Sequence, residues 1–431
     1  MNLKPSQFNF VYKRNDDNIV FNTFTKACVA LDDETFSLLQ GSDISYTERE
    51  DSTLDYLKEN GFLVSADFDE VAFLKYYNYK VRFAEDYLSL TIAPTLACNF
   101  DCPYCFENKR GGTIDKETQS LILKFLKEKL SHGVKKMDLT WYGGEPLICF
   151  DIIKEMCREI VTITSQLDVQ CKMGMITNGY LINNDVADLL EEYNISVQIT
   201  LDGLADNHNS RRYLRNGGAT FDRIVENLHC FDNRNIDVYI RMNVDKFNAS
   251  DYPALTQLIH SFHNPHMILY PAVTENVNER KESRKDYYMP DRIYDTFISD
   301  TRKQGLFHKD VDTVPISNDV SKLPDNRSYF CAAELENSYV IDEKGHVYKC
   351  WNEVGKDNYC FSLREPEKIN YSSMLNYMGD ITFSDPKCTK CTFLPICFGG
   401  CKFHKANFNR YSCAFNEHSV KAYVEDTFFQ E

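Results

Sequence analysis

The sequence holds no apolar run long enough to cross a membrane. Its opening stretch, Met1 to Phe10, lacks the charged-then-apolar pattern of a secretion signal. The expected location is therefore the cytoplasm, with no membrane partner. Basic charge is also in deficit: 48 Lys and Arg stand against 64 Asp and Glu, a formal net charge of −16. A general nucleic-acid binder needs a basic face to meet phosphates, so no nucleic-acid partner is expected. The acidity is read as an aid to solubility. There is no internal repeat or low-complexity segment. Hydrophobic residues at 43% and charged residues at 26% give an ordinary globular balance. The 431 residues leave room for two or three domains.

What the chain does have is cysteine, sixteen in all. In a cytoplasmic chain, metal ligation explains such a count better than disulfides do. Cys28, Cys149, Cys157, Cys171 and Cys230 sit singly in helical or strand-like stretches and read as small buried hydrophobes. The others cluster at short spacings.

Three regions separate by pattern. Residues 1–86 mix short strands (Phe8–Lys13, Ile19–Phe21, Ala27–Leu31, Phe62–Ser65) with three helices. Asp32 or Asp33 caps a short helix through Leu39, a second helix covers Ser52–Asn60, and a third covers Asp69–Phe83. This predicts a small winged-helix-like unit. In residues 87–310, strands at Leu88–Ala93, Met137–Tyr142, Lys172–Thr177, Ser196–Leu201, Val238–Val244 and His266–Tyr270 alternate with amphipathic helices. That alternation predicts a parallel sheet of the α/β class, a partial (β/α)6 TIM-like barrel with its chemistry at the C-terminal strand ends. Residues 311–431 are rich in Cys, Pro, Asn and Lys and poor in long periodic stretches. Bound metal is a source of stability for such a segment.

After the first barrel strand and Pro94 comes Cys98-x3-Cys102-x2-Cys105. Thiolates favour iron–sulfur clusters, and three ligands on a four-iron cluster leave one iron open. Zinc prefers four ligands, and no fourth is nearby. This triad resembles the signature of the radical S-adenosylmethionine (SAM) superfamily, with Tyr104 as the aromatic residue before the third cysteine. The stretch Tyr142-Gly143-Gly144-Glu145-Pro146, after the second strand, is similar to the family's SAM-binding GGEP motif. Two glycines let a backbone approach a ligand closely, and Glu145 is placed to accept from an ammonium. Further candidate cofactor-binding residues are Thr177 and Asn178 at the third strand end, Thr200 and Asp202 at the fourth, and Arg241 and Asn243 on the fifth. Arg212, in His208-x3-Arg212, is a candidate contact for the SAM carboxylate.

A second group holds Cys331, then Gly345-x4-Cys350, then Cys388-x2-Cys391-x5-Cys397-x3-Cys401 and Cys413. It resembles the SPASM extension of peptide-modifying radical SAM enzymes. The resemblance implies two auxiliary four-iron clusters besides the catalytic one. Cys331, Cys350 and Cys401 would hold the first, and Cys388, Cys391, Cys397 and Cys413 the second. Cys360 is a candidate fourth ligand of the first cluster; an open site for a substrate thiolate is the other reading. Structural zinc is the alternative for the whole group.

The resemblance implies that one electron cleaves SAM to a 5′-deoxyadenosyl radical, which takes hydrogen from an inert carbon. The leading expectation is a maturase that cross-links a ribosomally made precursor peptide, through a thioether from a Cys sulfur. Its partners would be that peptide, with its leader added as a strand at the edge near Ala27–Leu31, and a reductant such as flavodoxin or ferredoxin. Sulfatase maturation is the enzyme alternative. That branch typically has Asp after the cysteine that Cys350 matches, where this chain has Trp351-Asn352-Glu353. Glu353 and Asp202 are candidate bases. An electron-transfer or scaffold protein is the alternative of another class.

Overall fold

The computed structural model describes residues 2–41, 44–45, 52–273, 296–298, 300–301, 303–306, 328–409, 413 and 415–429. The chain forms two compact units. One holds Met1–Phe83, Val320–Leu335 and Met378–Glu431, and the other Ala84–Asp319 and Glu336–Tyr377.

In the first unit, strands β1 (Asn2–Pro5), β5 (Ile44–Ser45) and β6 (Leu63–Ser65) make one small sheet in the order β5-β1-β6. Strands β2 (Asn9–Arg14), β3 (Asp17–Asn22) and β4 (Cys28–Leu31) make a second, antiparallel sheet with β3 in the middle. Helices α1 (Asp33–Leu38) and α3 (Glu70–Arg82) start where Asp32 and Asp69 accept the backbone N–H of Thr35 and Ala72. Helix α2 (Ser52–Glu59) stops short of Gly61, whose φ is +78°.

The second unit is built on a nine-stranded sheet. Six of its strands run parallel in sequence order: β7 (Tyr87–Ile92), β8 (Lys136–Trp141), β9 (Gln170–Thr177), β10 (Ile195–Thr200), β11 (Val238–Val244) and β12 (Met267–Val273). Between them lie α4 (Lys116–Leu130), α5 (Phe150–Gln166), α6 (Asn184–Glu192), α7 (Ala205–Arg211), α8 (Phe221–Leu228) and α9 (Tyr252–His260). β10 and β11 are buried almost throughout, as in a sheet covered by helices, whereas β8 alternates and exposes Lys136 and Asp138. Leu88, Leu90, Met137, Leu139, Met175, Val197, Ile199, Ile240 and Met242 are all buried.

The units do not follow the three sequence segments. Strand β13 (Ser338–Ile341) pairs parallel with β7 and leads to β14 (His346–Tyr348) and β15 (Phe361–Ser362), so residues 336–377 extend the barrel sheet; helix α10 (Tyr371–Met378) ends this stretch. Four later helices are α11 (Pro386–Thr389), α12 (Leu394–Cys397), α13 (Lys402–Phe408) and α14 (Glu417–Phe428). They fold with the N-terminal strands because Ile19 and Phe21 share one apolar cluster with Ile396, Phe415, Val420 and Val424. Phe8 and Leu74 share another with Phe383, Leu394 and Phe398. Residues 1–86 also hold a cluster of their own, built from Leu3, Val20, Leu57, Phe62 and Leu63. The expected boundary at residues 310 and 311 lies outside the described residues. Among the described residues no helix is long and apolar enough to cross a membrane.

Candidate active site

The second unit gathers its chemistry at the C-terminal ends of β7 to β11. The chain leaves β7 through Ala93 and Pro94 and enters the loop that bears Cys98, Cys102 and Cys105. The glycine loop after β8 lies directly along this segment. Tyr142 N–H donates to the Ile92 carbonyl (3.0 Å), Gly144 N–H to that of Thr95 (3.1 Å) and Glu145 N–H to that of Ala97 (2.9 Å). Only glycine fits here. Gly143 has φ +124°, and a Cβ on Gly144 would sit 2.6 Å from the Leu96 carbonyl oxygen and closer still to that of Ala97.

Glu145 is fully buried, and its carboxylate is engaged within the protein. Oε1 accepts from Leu147 N–H (3.0 Å) and Thr177 Oγ1 (2.7 Å), and Oε2 from Asn178 N–H (2.7 Å). Glu145 therefore ties the glycine loop to the end of β9. Asn178 in turn donates from Nδ2 to Asn99 Oδ1 (2.7 Å) and lies 3.9 Å from Cys98 Sγ.

Across the site, the Tyr104 hydroxyl donates to Asp202 and accepts from Arg212 Nη1 (2.8 Å). Asp202 Oδ1 also accepts from the backbone N–H (3.0 Å) and Nδ2 (3.1 Å) of Asn243, whose Oδ1 accepts from Arg241 Nε (2.9 Å). The structure thus joins Tyr104, Asp202, Arg212, Arg241 and Asn243 in one network. Thr200 lies beside Arg241 in register. Burial and the charges of Arg212 and Arg211 push the His208 imidazole well below its usual pKa. Its Nδ1 accepts from Asp202 N–H at 3.2 Å.

The donor set suits an iron cluster. Burial pushes the Cys98 thiol up to about 12 and the Cys105 thiol up to about 11, and raises Cys102 as well. Thiolates in this loop therefore need cationic company. Lys109 supplies some to all three, Arg212 more to Cys102, and an iron cluster would supply the rest. Two buried donors, Arg212 Nε and Asn99 Nδ2, have no hydrogen-bond partner among the described residues, as fits a pocket for a polar cofactor. Among the described residues no three His, Cys, Asp or Glu side chains are gathered tightly enough to hold a metal ion.

Sequence reasoning missed Glu107. Burial, joined by the charge of Glu145, pushes its carboxyl up to about 7, against the pull of the Tyr142 hydroxyl and Lys109. Its only sequence signal is its place two residues after Cys105. The Tyr142 ring stacks on Trp351, with centroids 4.6 Å apart. The two candidate bases are engaged elsewhere. Asp202 sits in the network above. Glu353 Oε1 accepts from the Tyr377 hydroxyl (2.9 Å) and Oε2 from Asn358 Nδ2 (2.6 Å).

Of the second cysteine group, Cys350 and the buried Cys360 lie in the second unit. Cys331, Cys388, Cys391, Cys397, Cys401 and Cys413 lie in the first. Cys388 lies within α11, which Asp385 caps, and burial raises its thiol pKa, with smaller contributions from Asp385, Cys413 and Cys391. The singly placed Cys149 and Cys157 are buried, as read from sequence, whereas Cys28, Cys171 and Cys230 are half-buried.

Residues 92–259 match the family profile of the Radical SAM superfamily. The matched stretch contains both the Cys98–Cys105 loop and the Gly143–Pro146 loop. The chain is 24% identical over 341 residues to the cysteine-type anaerobic sulfatase-maturating enzyme of Clostridium novyi (strain NT), covering 74% of this chain and 88% of that one. Its fold is similar to native anSMEcpe with bound AdoMet and Cp18Cys peptide (TM-score 0.60, 19% identity, 79% of this chain and 97% of that one). It is also similar to Streptococcus suis SuiB bound to precursor peptide SuiA (TM-score 0.51, 17% identity, 96% and 98%).

Proposed function

We propose that this chain is a radical SAM peptide maturase that cross-links a precursor peptide, through a thioether from a Cys sulfur to a carbon. When bound, a four-iron cluster and SAM supply a 5′-deoxyadenosyl radical that removes hydrogen from an unactivated carbon. Cys98, Cys102 and Cys105 would hold that cluster, and Gly143 to Pro146 would line SAM. Tyr104, Asp202 and Arg212 form a fixed polar wall, and the apolar strands behind it exclude water. Closing the thioether removes two hydrogens from the peptide. One leaves as the abstracted atom; the other leaves as a proton, and its electron needs an acceptor, which an auxiliary cluster held by the C-terminal cysteines would supply.

One observation favours cross-linking over formylglycine formation. Trp351 stands where the sulfatase branch typically carries Asp, and its ring is packed flat on Tyr142. The sulfatase reading keeps support from the similarity to the Clostridium novyi enzyme. A cysteine-containing candidate precursor peptide, incubated with the reconstituted chain and SAM, decides between them. After reaction, a thioether leaves it two hydrogens lighter with a cysteine that no longer alkylates. Formylglycine leaves an aldehyde that captures hydrazine.

The first unit supports a leader-peptide role. Among the described residues β4 has one strand neighbour, β3, so its other side is an edge open to an added strand. Ala30 is exposed on it. Ala30→Pro is expected to weaken precursor binding by about tenfold while leaving SAM cleavage intact. Unchanged affinity by fluorescence anisotropy would remove the leader-binding role.

Anaerobic reconstitution should give about twelve irons per chain, which is three four-iron clusters. A value near four would remove the auxiliary clusters.

A further inference from the structure

The loop that carries Cys98, Cys102 and Cys105 is closed at its base. Thr95 pairs with Thr113 in an isolated bridge, Ile114 N–H donates to the Pro94 carbonyl (2.8 Å), and Thr95 Oγ1 donates to that of Gly112 (2.6 Å). The first arm of the loop leans on the glycine loop and, through Asp101 N–H, on the Tyr213 carbonyl (2.9 Å). The second arm, residues 106–112, takes no helix or strand. A Cβ on Gly111 or Gly112 would meet nothing within 4 Å among the described residues, so the far end of that arm is open.

Polar contacts hold the second arm, and they come from the extension of the sheet. Arg110 donates from Nη2 to Asp342 Oδ2 (2.7 Å), from Nε to Glu343 Oε1 (2.7 Å) and from Nη1 to the Gly355 carbonyl (3.2 Å). Asn108 Nδ2 donates to the same carbonyl (3.0 Å). Asp342 and Glu343 open the turn between β13 and β14, and both are buried. The turn itself fixes Asp342. Its Oδ1 accepts from the backbone N–H groups of Lys344 (3.0 Å) and His346 (2.9 Å), and its Oδ2 lies 3.0 Å from the Tyr348 hydroxyl and 3.4 Å from His346 Nδ1. Glu343 Oε2 has no hydrogen-bond partner among the described residues. Two buried carboxylates thus share the fork of one guanidinium. Such pairing holds firmly, because a buried carboxylate without a cation is costly. Trp351, on the same stretch, stacks on Tyr142 of the glycine loop. Residues 342–355 therefore touch both catalytic loops, although they lie outside the stretch 92–259 that matches the family profile.

We propose that Arg110 is a positioning residue of the SAM-cleaving site: bound to Asp342 and Glu343, it holds the second arm of the cysteine loop in the shape that takes a cluster. Its three contacts are to carboxylates and a carbonyl, not to thiols, so the staple acts before metal binds. A loop ordered in advance loses less entropy on binding and keeps its ligand longer. The inference rests on the ligand role of Cys98, Cys102 and Cys105 in the proposed function.

The test is hydrogen–deuterium exchange, read by mass spectrometry on the iron-free full chain. In Arg110→Met, exchange across residues 106–112 should quicken by about tenfold, as for the loss of one charge-assisted bond, while β7 and α4 stay as protected as before. Arg110→Lys keeps the charge but not the fork and should fall in between. In the reconstituted chain, SAM cleavage should decay faster by the same factor once an iron chelator is added. If Arg110→Met fails to fold, Arg110→Lys and Asn108→Ala carry the test, and each should quicken exchange in the same residues. Unchanged exchange and unchanged chelator resistance in the variants overturn this inference alone. Exchange raised equally throughout the sheet also overturns it, since Arg110 would then serve general stability. SAM cleavage that survives without the three cysteines overturns their ligand role and the inference with it.

Discussion

Replacing Cys98, Cys102 and Cys105 with alanine should abolish SAM cleavage outright, with 5′-deoxyadenosine falling below detection by chromatography. The expected loss is total because the three thiols act as one ligand set. Effects of residues that work as a unit do not add, so any single replacement should cost nearly as much as all three. The fold should survive. The loop's path is fixed by backbone bonds from Gly144 and Glu145 to Thr95 and Ala97, and the barrel strands pack without the thiols. Iron should drop by about four per chain while the auxiliary clusters stay. SAM cleavage that persists in the triple variant would show that the catalytic cluster lies elsewhere.

Gly144→Ala is the second large effect. The new methyl would enter the space of the Leu96 and Ala97 carbonyls, and backbone cannot swing aside as a side-chain end can. The Cys loop or the glycine loop must shift. Overpacking of this kind costs about 1–3 kcal/mol of stability. A displacement of about 1 Å at reacting groups costs roughly a hundredfold in rate. SAM cleavage should fall by about that factor, measured on chains with full iron content. Gly111 lies nearby in the same loop with nothing within 4 Å of where a Cβ would go. Gly111→Ala should therefore leave cleavage unchanged. Equal losses in the two variants would mean that the close approach of the two loops has no catalytic importance.

The parallel sheet was legible because its strands carry buried apolar residues and amphipathic helices, such as Lys116–Leu130 and Phe150–Gln166, alternate with them. Each of the six expected strands appears within a few residues of its place. Asp32 betrayed its helix through cap chemistry. Local pattern failed where pairing is distant. Strand β13 joins β7 across some 250 residues of sequence (Ser338 opposite Ser89), and β1 is held by β5 and β6. The association of N- and C-terminal segments rests on contacts such as Phe21 with Tyr423, which no periodicity records. The cysteine spacings pointed to ligands, but not to the roles of their neighbours. Glu145, read as placed to accept from an ammonium, also clamps Thr177 and Asn178, which spacing alone did not show. Glu107 was missed because one carboxylate in a loop has no signal until its burial is known.

The central claim is that the loop of Cys98, Cys102 and Cys105, laid against Gly144 and Glu145, makes this chain a SAM-cleaving radical enzyme. The most direct measurement uses the unsubstituted chain, reconstituted anaerobically with iron and sulfide, then given SAM and dithionite. Methionine and 5′-deoxyadenosine should appear in equal amounts and only with the reductant present. Full iron loading with SAM recovered intact would contradict the account.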